Sequence, residues 1–193
     1  MTAVFLGAGL SLSAAPLLTL IPSNLSGPPD STVGWGFTIT NDSGYIEITS
    51  SQFCENPVNF PLICSLPTTG TYSDFIGTYS DVIVGPPGGT DPDSVSQLIF
   101  NPITDTGVGS FVINSGASVG ASDTGEIVLT YTLTNLDPNN PNATVLGSDL
   151  QLTANTNITV SAPVAPLALP EPGTAWLLIF GVAGVWLRRR LNP

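Results

Sequence analysis

The side chains able to do charge or thiol chemistry are few: fourteen carboxylates, two cysteines and three arginines, with no histidine and no lysine. Without imidazole or amine, hydrolytic triads and Schiff-base catalysis are ruled out. Paired carboxylates, as in glycoside hydrolysis, are the remaining catalytic route, and none stands in an aromatic-rich motif. Gly85–Gly89 (GPPGG) lacks the lysine of a phosphate loop and leads into Asp91 instead of a helix. The sequence therefore predicts no enzyme and no cofactor. Calcium takes clustered carboxylate and carbonyl oxygens. Asp91 and Asp93, around Pro92 and next to Gly88-Gly89, are the local Ca²⁺ candidates, with Asp105 and Asp137 as possible additions. No EF-hand spacing is present, and the plain alternative for these acids is solvated turns.

Cys54 and Cys64 have nine residues between them, including Pro57 and Pro61. In an exported protein such a pair reads as a disulfide. A free-thiol or redox role is the alternative, and two thiols without histidine make a poor metal site. The whole chain carries −11; without its three arginines the remainder is −11 − 3 = −14. Nucleic acid is excluded as a partner, because nothing in the body of the chain could neutralise phosphate. Acidic exopolysaccharide, a candidate partner, would need divalent cations to bridge the two surfaces.

The three cations sit together as Arg188, Arg189 and Arg190, directly behind an apolar run from Thr174 to Leu187. Placed there, they would hold that end on the cytoplasmic face of a membrane. Fourteen helical residues span roughly 21 Å, against a hydrocarbon core of roughly 30 Å. Taken alone, so short a run is more often a core helix or a signal h-region than a full span, and the alternative here is a helix docked on the preceding domain. Three features favour the membrane. Pro170 and Pro172 detach the run, Trp176 and Trp186 flank it as interfacial anchors, and snorkelling arginines extend its reach.

The order Pro-Glu-Pro, short apolar helix, arginine cluster resembles the PEP-CTERM sorting signal of exopolysaccharide-producing Gram-negative bacteria. The resemblance covers about an eighth of the chain. It implies that exosortase, a membrane transpeptidase-like enzyme, reads the tail, cuts near the tripeptide and passes the protein to the cell surface or extracellular matrix. The logic is similar to sortase and its LPxTG substrates. Pro170, Glu171 and Pro172 would be the recognition element. Trp176, Leu177, Leu178, Ile179, Phe180, Val182, Val185, Trp186 and Leu187 would anchor it, and Arg188–Arg190 would stop transfer. The implied route runs through the inner membrane, with the membrane and exosortase as partners.

The elements in front of the tail must be delivered by it. Met1–Ala15 is apolar and small, like a signal-peptide h-region without its basic n-region, and a first strand is the alternative. From Pro16 the chain is rich in Gly, Pro, Thr, Ser and Asn. Val33–Asn41 alternates Val33, Trp35, Phe37 and Ile39 with small or polar residues, which predicts a strand with one buried face. Asn41–Gly44 is a turn and Tyr45–Phe53 resumes the pattern, predicting a hairpin. Further strands are expected at Leu17–Ile21, Asp81–Gly85, Val95–Phe100, Val108–Asn114, Glu126–Thr134, Asp149–Leu152 and Ile158–Val160. Pro22–Ser31 and Asp137–Asn142 read as loops. Short strands at this spacing predict a mostly β chain with an antiparallel β-sandwich over 16–160. The stretch Gly27-Pro28-Pro29-Asp30-Ser31-Thr32-Val33, leading into a strand that ends Thr40-Asn41, resembles the opening of bacterial surface Ig-like domains, which implies an Ig-like sandwich. A Pro/Ala linker, 161–169, and a single short C-terminal transmembrane helix follow.

Two roles remain open for the domain. One is a structural component of the envelope or matrix. The other is an adhesive or carbohydrate-binding module, in which Trp35, Tyr45, Tyr72 or Tyr79 would stack on sugars. Trp35 reads as core, and Tyr72 and Tyr79, in a Thr/Ser-rich stretch, read as exposed. Four Asn-x-Ser/Thr triplets, at Asn24, Asn41, Asn142 and Asn157, make glycan attachment chemically possible.

Overall fold

A computed structural model describes residues 15–58, 63–79 and 82–164. The strands are β1 (Leu17–Ile21), β2 (Asn24–Gly27), β3 (Thr32–Thr40), β4 (Tyr45–Val58), β5 (Ile63–Ser65), β6 (Gly70–Asp74), β7 (Val82–Val84), β8 (Ser94–Gln97), β9 (Gly109–Ile113), β10 (Ser122–Thr134) and β11 (Val145–Val160). One helical turn, α1 (Ile76–Tyr79), interrupts them. They form two sheets. The first runs β1-β3-β9-β6, with β8 on the carboxyl half of β3; the second runs β2-β11-β10-β4-β5, with β7 on β4. All pairings are antiparallel except β2 with β11, which is parallel. The chain is thus mostly β and sandwich-like, and the first compact unit ends at Pro163.

Alternation builds the core. Leu18 and Leu20 of β1, Trp35, Phe37 and Ile39 of β3, and Phe111 and Ile113 of β9 point inward from the first sheet. Ile46, Ile48 and Phe53 of β4, Ile127 and Leu129 of β10, and Leu152 and Ile158 of β11 meet them from the second. Trp35 stacks 6.5 Å from Phe53, and Phe53 meets Phe111 edge-on at 5.8 Å, so aromatic contacts cross the gap between sheets.

Five expectations need correction. The first is the hairpin. β3 pairs with β1, β8 and β9, whereas β4 pairs with β10, β5 and β7, so Asn41–Gly44 is a corner between sheets. Asn41 makes that corner: it is buried, and its Nδ2 donates to the carbonyls of Gly44, Val84 and Gly85. Second, β3 is buried on both faces at its centre. The segment after β8 crosses its outer side, where Gly34 lies under Phe100 and Gly36 under the Leu98 backbone. Third, the period of β4 breaks. Thr130 pairs with Ser50 but Tyr131 with Ile48, leaving Thr49 as a bulge that turns Ser51 and Phe53 inward in place of Ser50 and Gln52. Fourth, the two short candidates at 149–152 and 158–160 are parts of one sixteen-residue strand, β11. The Pro22–Ser31 stretch also contains a strand, β2, that the loop reading missed.

Candidate functional site

Cys54 and Cys64 form the expected disulfide, with S–S 2.08 Å and Cα–Cα 4.7 Å. The bridge ties β4 to β5, and the Cys54 side is fully buried. No free cysteine remains among the described residues, so the redox alternative has no thiol there.

Two of the acids are anchored inside the fold. Asp123, at the start of β10, is fully buried. Burial works against its ionisation, but the hydroxyl and backbone N–H of Thr69 and the hydroxyl of Thr68 outweigh that, holding its carboxyl below the ordinary 3.8. This carboxylate therefore pins the loop before β6 to the second sheet. Asp74, at the end of β6, accepts from the Ser51 hydroxyl and from the N–H groups of Ile76 (2.9 Å) and Gly77 (3.2 Å), capping α1.

Tyr72 belongs to the same network. Its ring lies 6.1 Å from Trp35, and its hydroxyl is 2.7 Å from Ser51 Oγ and 3.2 Å from the Val108 carbonyl. Burial pushes this phenol well above its usual 10.0; the Ser51 hydrogen bond opposes the rise and the Asp74 charge adds to it. The phenol stays protonated and can donate to the Val108 carbonyl, while the Ser51 hydroxyl lies within hydrogen-bond reach of both the Asp74 carboxylate and that carbonyl. The row Tyr72, Ser51, Asp74 fastens β6 to β4. Burial also raises the Tyr131 phenol.

Three of the four rings proposed for sugar stacking, Trp35, Tyr45 and Tyr72, are turned into the fold. Trp35 is fully buried, with Nε1 donating to Thr156 Oγ1 across the sandwich at 2.9 Å. Tyr45 is buried, its hydroxyl 3.1 Å from that of Thr90. Tyr72, read as exposed from its Thr/Ser-rich surroundings, turns its ring and hydroxyl into the core because it alternates with exposed Thr71 and Ser73. The Tyr79 side chain lies outside the described ones. Of the glycan-acceptor triplets, Asn41 is committed to the corner, whereas Asn142 is exposed.

Asp91 and Asp93 flank Pro92, whose carbonyl accepts the Gly85 N–H at 2.9 Å. The Asp93 side is exposed, and its carbonyl accepts the Asn41 N–H. Asp91 Oδ2 is buried without a hydrogen-bond partner. No third carboxylate or cysteine joins them, since among the described residues no group of three such ligands exists. Asp105 and Asp137 do not add to the pair.

The sorting residues Pro170–Pro172, the anchor Trp176–Leu187 and Arg188–Arg190 lie outside the described residues, as does Met1–Ala14 of the signal-like segment. Among the described residues no helix is long and apolar enough to cross a membrane. The interior pairs Asp123 with Thr69 and Tyr72 with Ser51 were not foreseen. Their members are 54 and 21 positions apart, and no local spacing marks them.

No family model and no curated protein matches the chain. Among solved structures, one similar chain comes from a crystal structure of the CaDoc0917–CaCohA2 complex at pH 5.5. It is 18% identical with a TM-score of 0.23, and the match covers 76% of this chain and 100% of that one. Another is a family 123 glycoside hydrolase from Clostridium perfringens, 15% identical with a TM-score of 0.24, covering 75% of this chain and 23% of that one. At such scores neither likeness carries an argument.

Proposed function

We propose that this chain is an exported structural protein of the bacterial envelope or exopolysaccharide matrix, sorted to the cell surface through a PEP-CTERM-like tail that exosortase processes. The observation that carries the reading is the ordered tail: Pro170-Glu171-Pro172, an apolar run flanked by Trp176 and Trp186, then the only three cationic side chains of the sequence. The Cys54–Cys64 bridge supports it, because disulfides persist in oxidising compartments outside the cytosol. The delivered part is an Ig-like sandwich with a strongly acidic, hydroxyl- and amide-rich surface. An adhesive or carbohydrate-binding module is the competing role. The burial of Trp35 and Tyr45 and the packing of half-buried Tyr72 against the core favour the structural one.

The test is to follow the protein in a host that makes exosortase. The intact chain is expected at the envelope surface with a mass shortened near the tripeptide. Deletion of Pro170–Pro193 is expected to release the domain into periplasm or medium. Replacement of Pro170, Glu171 and Pro172 by Ala is expected to leave unshortened protein in the inner membrane. An intact chain that keeps its tail, or a tail-deleted chain that reaches the surface as the intact one does, would overturn the assignment.

A further inference from the structure

The chain leaves the sandwich where β11 ends, and hydrogen bonds gather three other segments around that exit. The Gly120 N–H donates to the Val160 carbonyl, and the Ser161 N–H to that of Gly27. The Asn114 N–H donates to the Thr69 carbonyl, and the Asp123 carboxylate holds the hydroxyls of Thr68 and Thr69. Segments 66–69 and 114–121 therefore stand at the exit end of the sandwich. Each presents one large apolar side chain to solvent: Leu66 is 84% exposed and Val119 58%. Neither segment contains a charged residue, and in the described loops at this end Asp30 is the one acid. The opposite end is acidic. Its loops, 41–44, 85–93 and 135–144, carry Asp42, Asp91, Asp93 and Asp137. Leu136, Val145 and Leu146 are exposed there, on the same end as those carboxylates.

We propose that the exit end docks on a lipid surface, with Leu66 and Val119 entering the interface of the bilayer that holds the tail. The inference rests on the sorting reading above, which puts the apolar run from Thr174 in that bilayer. Reach selects the end. A Pro/Ala-rich chain covers about 3.1 Å per residue, so the stretch from Pro163 to Thr174 covers roughly 34 Å. The thirteen residues of β10 run roughly 42 Å from one end of the sandwich to the other. A domain standing on its acidic end would hold its exit beyond the reach of that linker. Charge selects the same end, because anionic headgroups repel the end with four aspartates. The domain has no lysine or arginine, so what it meets is the apolar boundary of the bilayer and not a headgroup phosphate. Two aliphatic side chains make a weak contact, and the short tether populates it by keeping them at a high effective concentration of lipid.

The experiment uses the full chain reconstituted in vesicles of zwitterionic phospholipid with a minor share of anionic lipid. Cys54 and Cys64 are bridged, so Ser118→Cys, next to Val119, and Asn139→Cys, at the acidic end, each introduce one thiol for an environment-sensitive dye. Spin-labelled lipid is expected to quench the dye on Ser118→Cys and to leave the dye on Asn139→Cys unchanged. Leu66→Ser combined with Val119→Ser is expected to abolish the quenching on Ser118→Cys. Both side chains are exposed, so the melting midpoint is expected to stay unchanged. Flotation with the vesicles reads the tail separately. A chain that floats while its dye on Ser118→Cys stays unquenched would overturn the docking and leave the sorting reading standing. A chain that does not float would overturn both. Equal quenching at the two ends would overturn the docking, as would undiminished quenching in the double Ser variant, because tethering alone would then account for the contact.

Discussion

Asp123 is where a single side chain has the most to say about stability. Its carboxylate is buried without any cation, and three donors from Thr68 and Thr69 keep it ionised. The folded state therefore binds this proton more weakly than the unfolded state. The stabilisation is fully present above the unfolded value near 3.8 and is lost as pH falls through the lower folded value. Asp123→Asn turns an NH₂ towards groups that are already donors. It is expected to cost about 1–3 kcal/mol at neutral pH, with the gap to the natural chain narrowing below about pH 4. Denaturant midpoints from neutral pH to pH 2 check this, and a gap independent of pH would remove the claim. Nothing local reveals Asp123, which reads like any acid beside a Thr and a Gly. The Cys54–Cys64 bridge was legible because two cysteines admit one pairing and a short loop can close it.

Strand by strand, legibility tracked how purely each element followed period two. β1 and the hydrophobic face of β3 were readable from alternation alone. β4 was readable only until Thr49, because a bulge is an added residue that no hydrophobic pattern announces. β11 hid as two fragments because its middle, Thr153–Asn157, is polar and sends only Ala154 and Thr156 inward. The glycines of β3 were read as the solvent side, yet they mark the close approach of another backbone. A Cβ on Gly36 would stand 2.5 Å from the Leu98 carbonyl oxygen. Gly36→Ala must therefore lift the crossing segment that carries Leu98 and Phe100, loosening the stack of Phe100 on Phe75. The expected cost is about 1–3 kcal/mol. Faster proteolysis between Leu98 and Thr106 is expected alongside a lowered melting midpoint. Thr38→Ala, on the half-exposed side of the same strand, is the control and is expected to change stability by less than about 0.5 kcal/mol. Equal effects would mean that the crossing segment does not press on Gly36.

At the scale of the whole molecule, the missing cations decide how the fold answers its solvent. The sequence before Arg188 has no lysine, arginine or histidine, so residues 15–164 contain no side-chain ion pair for salt to weaken. Cohesion there comes from apolar burial, paired backbones, interior hydrogen bonds such as Trp35 to Thr156, and the disulfide. What salt can screen is repulsion among the carboxylates, whose mutual field reaches roughly 30 Å at 0.01 M but about 10 Å at 0.1 M. Sodium chloride between those concentrations is therefore expected to raise the melting midpoint, opposite to a fold held by surface ion pairs. The same melt in calcium chloride at matched ionic strength separates screening from binding. A matching rise is expected from screening alone, while an excess that saturates with calcium and is lost in Asp91→Asn would place a cation at the buried Oδ2 of Asp91. A midpoint that falls with sodium chloride would mean that electrostatic repulsion is not what limits this domain.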